Sequence, residues 1–140
     1  MDDFESSPTL DASAFVGSIP ADYHRGLGPT LFEPYARETA VRVAAFAPTR
    51  VLETACGTGI VTRRLRERLP AGAQLVATDL NEPMTAVARD LLGADAPVEW
   101  GCADMTALPH GDGEFDAVVC QFGLMFVPDK PAALREAHRV

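Results

Sequence analysis

At 140 residues the chain fits one domain, and its 47% hydrophobic and 23% charged residues are the balance of a globular protein. No apolar run approaches the roughly 20 residues of a membrane span, and the acidic start MDDFESSPTLD is unlike a secretory signal, so the default location is cytoplasmic. A formal net charge of -8 opposes a nucleic-acid partner held through its phosphates.

Residues 1–12 are polar, acidic and aperiodic, and read as a disordered tail. From Phe15 to Pro29 the glycines and prolines predict short helical turns joined by loops. Leu31, Tyr35, Ala40, Val43, Ala44 and Ala47 then recur near helical spacing, which predicts a helix from Thr30, as N-cap, to Ala47, before Pro48.

Strands and helices alternate from there. Strands are predicted at Arg50–Thr54, Gln74–Thr78, Val98–Cys102 and Phe115–Cys120. Helices are predicted at Ile60–Leu69, at Glu82–Leu92 behind an Asn81 cap with Gly93 as stop, and from an Asp129 cap towards Val140. This order predicts an α/β fold, a doubly wound parallel sheet with helices on both faces.

The fourth strand, FDAVVC, is nearly all apolar, as for a strand buried on both faces. In a sheet ordered 3-2-1-4 it would instead be an open edge, a pairing liability. The expectation is that the natural protein continues past Val140.

The basic stretch TRRLRERLP (Arg63, Arg64, Arg66, Arg68) reads as the solvated face of one helix, with Leu65 and Leu69 inward. Cys56, Cys102 and Cys120 are odd in number and far apart, which suggests neither a disulfide framework nor a metal site; each is expected as a buried free thiol.

The stretch VLETACGTGI, a strand running into a glycine turn, suits a ligand brought close to backbone and to a helix N-terminus. The hydride-cofactor fingerprint is G-x-G-x-x-G/A. Counted from Gly57 it gives Gly57, Gly59 and Thr62; counted from Ala55 it gives Ala55, Gly57 and Ile60, so the third small residue is missing in both frames. Asp79 ends the second strand 20 residues after Gly59, where an acid holds a ribose diol. Glu53 just before the turn would repel a pyrophosphate and attract a cation. Together they point to a cationic, phosphate-free adenosine cofactor.

These residues resemble the class I S-adenosylmethionine-dependent methyltransferases, and most nearly the type 11 branch that includes ubiquinone/menaquinone-biosynthesis methyltransferases. VLETACGTG is similar to the family's first motif, VATDLNEPM to its second, and GCADMTALPHGDGEFDAVVCQFGLMFVPDKPAALREAHRV to the run through the third and fourth strands into the next helix.

The resemblance implies a Rossmann-like sheet of strand order 3-2-1-4-5-7-6, with strands 1–4 present and strands 5–7 missing. It divides the chain into the tail, a helical lead-in at 13–48 over the cofactor site, and the N-terminal part of an S-adenosylmethionine-binding domain at 49–140. It implies that Glu53 meets the cofactor's amino acid end, while Ala55, Cys56, Gly57 and Gly59 line the turn beneath the methionine portion. By the same resemblance Asp79 holds the ribose hydroxyls, Leu80 and Met84 flank the adenine, and Asp104, with Met105 beside it, accepts from the adenine amino group. Gln121 would lie near the transferring methyl, and Tyr23 would close over the cofactor. Many members carry glycine where Ala55 stands.

The implied function is methyl transfer from S-adenosyl-L-methionine to a small-molecule acceptor. Donor and acceptor need alignment more than acid–base chemistry. His24, His110 and His138 are candidate bases only if the acceptor must lose a proton, and no catalytic residue is assigned. Phe122, Met125 and Phe126 could line an apolar acceptor pocket or simply belong to the core. Two rivals stand: an NAD(P)-dependent oxidoreductase, and a truncated, non-catalytic binding module that pairs its open fourth strand in a homodimer.

Overall fold

The structure is a computed structural model that describes residues 19–140, without the side chains of Ile19, Pro20, Ala21 and Tyr23. The tail expected at 1–12 and the start of the lead-in lie outside the described residues.

Helix α1 (Ile19–Leu27) runs through a widened turn of π type, Gly28–Phe32, into α2 (Glu33–Ala44). The chain keeps right-handed helical backbone at the junctions, Leu27 (φ -91°, ψ -26°) and Phe32 (φ -86°, ψ -31°). The loops expected before Pro29 are therefore absent after Ile19. Pro29 and Pro34 each lack an N–H, and one turn widens where the regular ladder is interrupted. Thr30 sits inside that turn rather than at a cap, and α2 ends three residues earlier than expected, at Ala44.

Four strands follow, β1 (Arg50–Glu53), β2 (Gln74–Asp79), β3 (Glu99–Cys102) and β4 (Ala117–Val119), all parallel in the order β3-β2-β1-β4. Helices α3 (Ile60–Arg68) and α4 (Glu82–Leu92) form the crossovers, and α5 (Lys130–Arg139) follows β4 after a short 3-10 turn. The predicted α/β class and strand order hold. Asp129 caps α5, its carboxylate accepting from Ala132 N at 2.9 Å. Asn81 stands at the α4 N-cap, but its side chain makes no capping bond.

Alternation along β1 splits the core in two. Val51 joins Leu75 and Val119 against Ala36, Ala40, Ile60, Val61 and Leu65 of α2 and α3. Leu52 joins Val76, Leu108 and Val140 on the opposite face. Each buried leucine contributes roughly 2 kcal/mol, against about 0.5 kcal/mol for an exposed ion pair of the Arg42–Glu38 kind. Apolar layers, not surface charges, therefore hold α2 and α3 on the sheet.

Three expectations need correction. First, β4 has three residues rather than six; it is the edge strand expected of this order, half-buried at Ala117 and Val118. Among the described residues β1 is the one strand that flanks it, and the preceding Phe115 and Asp116 donate to Val140 O and Arg50 O. Second, Cys102, at the end of the edge strand β3, and Cys120, just after β4, are exposed, and only Cys56 is buried. Third, the arginine face of α3 is not wholly solvated: Arg64 is half-buried and paired with Glu33 and Glu67, while Arg66 donates to Ala73 O and Pro70 O. Leu65 and Leu69 point inward as expected.

Candidate functional site

The carboxyl end of β1 runs into a turn, Thr54–Gly59, clamped on both sides. Thr54 N donates to Val119 O of β4 at 2.8 Å, and Cys56 N to Thr78 O of β2 at 2.9 Å. Three residues of the turn lie in the left-handed region: Ala55 (φ 52°), Gly57 (φ 57°) and Gly59 (φ 81°). The two glycines differ in surroundings. A Cβ on Gly59 would sit 2.9 Å from Ala88 Cβ, so this glycine lets the turn touch α4. A Cβ on Gly57 would meet nothing within 4 Å, which leaves open space over the backbone.

Two buried carboxylates stand at the ends of β1 and β2, where the turn begins and is fastened. Asp79, at the end of β2, accepts from Gly57 N at 2.8 Å through Oδ2 and from Asn81 N at 2.9 Å through Oδ1. It thereby fastens the turn to the start of α4. Glu53 is 2% exposed, and its Oε2 accepts from Thr62 Oγ1 at 2.6 Å. No residue among those described bonds to its Oε1. Burial pushes the Glu53 carboxyl up to about 8; the Thr62 hydroxyl opposes this and the Asp79 charge adds to it. The Cys56 thiol is pushed well up by burial and by the same two acids, which makes it a poor nucleophile.

The structure therefore brings Glu53, Ala55, Cys56, Gly57, Gly59 and Asp79 together at the carboxyl ends of the strands, where open α/β sheets bind ligands. Leu80 follows, 47% exposed, and Met84 is buried on α4. Asp104 comes just after β3; its Oδ1 accepts from Thr106 N and Oγ1, and the half-buried Met105 packs on the Leu52–Val76 cluster. Gln121 accepts from Thr39 Oγ1 of α2 at 2.9 Å and donates to Phe32 O at 3.4 Å. The Tyr23 side chain lies outside the described residues.

Several contacts had no clear sequence signal. His24 Nδ1 of α1 is 2.9 Å from Thr58 Oγ1, which ties the lead-in to the turn. Burial and Arg63 lower the pKa of His24, and Glu33 opposes this. Phe122 is held at φ 62° with its ring against Phe32 and Tyr35, while Met125 is exposed, so a shared pocket of Phe122, Met125 and Phe126 is not evident. His110 packs on Phe115 and lies 3.6 Å from Glu114, and His138 is exposed on α5. Thr62 did leave a trace in the sequence, as the residue standing where a small one was sought.

Among the described residues no group of His, Cys, Asp and Glu is arranged to hold a metal ion, and no helix is long and apolar enough to cross a membrane. A cavity of about 220 Å³ lies between α2 and α3, lined by Arg37, Ala40, Arg64, Glu67 and Arg68. It includes no residue of the turn, and two of its arginines are already paired with Glu33.

Residues 51–140 match the family described as Methyltransferase domain. The chain belongs to that family. It is 44% identical over 95 residues to a demethylmenaquinone methyltransferase of Thermus thermophilus, covering 67% of this chain and 43% of that one. A ubiquinone/menaquinone biosynthesis C-methyltransferase of Xylella fastidiosa is 43% identical over 94 residues, with 65% and 37% covered. The chain thus spans about two fifths of the length of the curated relatives it matches.

Among solved structures, the S-adenosylmethionine-bound amino pentose methyltransferase CalS10 of Micromonospora echinaspora superposes with a TM-score of 0.67 at 27% identity, covering 89% of this chain and 53% of that one. A Methanococcus maripaludis protein superposes with a TM-score of 0.77 at 18% identity, covering 96% and 61%, and supports the fold alone. The four-stranded parallel sheet accordingly has the Rossmann-like fold of class I methyltransferases.

Proposed function

We propose that the protein binds S-adenosyl-L-methionine at the β1 turn and transfers its methyl group to a small-molecule acceptor. The observation that carries this reading is the buried Glu53 carboxyl at the end of β1, next to the turn whose Gly57 N is held by Asp79 from the end of the neighbouring β2. A diphosphate placed there would meet two acids, whereas an ammonium and a ribose diol would each meet one. The family match and the S-adenosylmethionine-bound structural neighbour support the same cofactor.

In this reading Glu53 takes the ammonium of the methionine portion, Ala55, Cys56, Gly57 and Gly59 form the floor, and Asp79 takes the ribose hydroxyls. Leu80 and Met84 flank the adenine, Asp104 accepts from its amino group with Met105 alongside, and Gln121 stands near the methyl. Tyr23, in the lead-in at 13–48, closes over the site, an arrangement supported by the His24–Thr58 bond. The cofactor supplies an electrophilic methyl on a sulfonium. The protein's own part is to orient, to neutralise the ammonium and to exclude water. The curated relatives' names make quinone precursors one acceptor class to assay first.

Calorimetric titration with S-adenosylhomocysteine and with NAD tests the reading. Binding of the first and not the second is expected; tight NAD binding without S-adenosylhomocysteine binding would overturn it in favour of an oxidoreductase. A second reading, a binding module that pairs β4 with a second copy, is favoured by β4 having β1 as its one partner strand among the described residues. It requires a dimer in solution and no turnover.

A further inference from the structure

We infer that Thr62 is a positioning residue for the cofactor's ammonium: its hydroxyl holds the Glu53 carboxyl in one orientation at the end of β1. This deepens the proposed function and rests on it.

The argument begins with position. Thr62 is the third residue of α3 and is fully buried. In a dinucleotide fingerprint this place takes a small residue, so that helix and strand can approach closely. Threonine is larger, and as a β-branched residue it is a weaker helix former than alanine. Close helix–strand approach and helix propensity therefore do not favour it. Nor does the hydroxyl make the local bond to the preceding turn's carbonyl that threonine often makes in a helix. It reaches back nine residues, across the whole turn, to Glu53 Oε2 at 2.6 Å.

The geometry has a direct chemical consequence. With Oε2 held by Thr62 the carboxyl is restrained, and Oε1, to which no described residue is seen to donate, is the oxygen proposed to take the ligand. The Thr62 hydroxyl also favours the ionised carboxylate, against burial and the neighbouring Asp79 charge. An ammonium approaching the turn thus meets a carboxylate already oriented and partly prepared for ionisation. Without the hydroxyl, Glu53 would be a buried acid of undefined orientation, and the neutral form would be favoured further.

The experiment uses two probes that share the adenosine and the thioether. S-adenosylhomocysteine carries the amino acid end; 5′-methylthioadenosine does not. Affinities for both are measured by calorimetry for the protein and for Thr62→Val, Thr62→Ala and Thr62→Ser. Valine keeps the shape and removes the hydroxyl, alanine removes both, and serine keeps the hydroxyl. Val and Ala should weaken S-adenosylhomocysteine about tenfold, the scale of a lost charge-assisted bond, and leave 5′-methylthioadenosine unchanged. Ser should retain the preference for S-adenosylhomocysteine. In a Glu53→Gln background Thr62→Ala should no longer change that preference.

A merely structural Thr62 would lower the melting temperature and move both affinities together, or neither. Either pattern would overturn the proposal, as would loss of the preference in Thr62→Ser. If Thr62→Val does not fold, the Ala and Ser pair decides the matter. Failure of the unaltered protein to bind either probe would overturn the cofactor reading itself, and the Thr62 role with it.

Discussion

A Cβ added to Gly123 would stand 2.3 Å from the Cβ of Ala55. The turn after β1 and the loop after β4 therefore meet at a point with room for one methyl group, and Ala55 holds it. Ala55 does so at φ 52°, where a side chain is strained. This gives a physical meaning to the glycine that many family members carry there: it removes the strain and vacates the space that Gly123 faces.

The first prediction follows from that contact. Gly123→Ala should destabilise the protein by about 3 kcal/mol, as overpacking against backbone-anchored atoms does. Ala55→Gly alone should stabilise it by up to about 1 kcal/mol by relieving the left-handed alanine. Combined, the two should recover most of the Gly123→Ala loss, a strongly non-additive cycle. Urea unfolding of the four proteins measures this; simple additivity would mean that the contact is not the cause.

Gly57 and Gly59 should separate binding from stability. Gly59→Ala adds a methyl 2.9 Å from Ala88 Cβ at φ 81°, so it should cost about 3 kcal/mol in unfolding experiments. Gly57→Ala at φ 57° has open space, so its stability cost should be about 1 kcal/mol, from backbone strain alone. The same open space is where the cofactor is proposed to lie, so Gly57→Ala should still lose S-adenosylhomocysteine affinity by about tenfold or more. Equal effects of the two substitutions on stability would contradict this division.

The sheet order and the turn were legible in the sequence because both rest on local patterns: alternation of apolar runs, and small residues at a strand end. Asp79 was legible for the same reason, since its spacing from Gly59 is fixed by one helix and one strand. What the sequence hid were contacts between distant segments. Gln121 was assigned to the methyl, yet its amide is engaged by Thr39 and Phe32, 82 and 89 residues away. The glycines and prolines up to Pro29 suggested loops, but the helical backbone continued from Ile19 through a widened turn. Cys102 and Cys120 looked buried because their neighbours are apolar; only the sheet order places both at edges.

Phe122 is a bulky residue at φ 62°, with its ring 5.4 Å from Phe32 and 5.3 Å from Tyr35, centre to centre. Two effects oppose each other there: ring packing favours Phe, and backbone strain disfavours any side chain. Phe122→Ala removes the packing and keeps the strain, whereas Phe122→Gly removes both. Glycine should therefore be less destabilising than alanine by about 1 kcal/mol, the reverse of their usual order. Thermal unfolding of the two variants checks this, and the ordinary order would mean that the backbone relaxes once the ring is gone.

Glu53 should imprint a pH dependence on stability, and its sign follows from the direction of the shift. In the unfolded chain the carboxyl ionises near its ordinary 4.5; in the folded protein it does so near 8. Between those values the unfolded state binds fewer protons than the folded state, so stability falls as pH rises and levels off above about pH 8. The total loss is on the order of 4 kcal/mol. Glu53→Gln removes this slope, so the stability difference between the protein and the variant should change steadily from pH 5 to pH 8, with other groups cancelling. A difference flat in pH would mean that Glu53 is already ionised in the folded protein. The same proton should leave when an ammonium arrives: S-adenosylhomocysteine binding at pH 7 should release about one proton to buffer, and binding to Glu53→Gln close to none. Titrations in two buffers of different ionisation enthalpy measure that number directly.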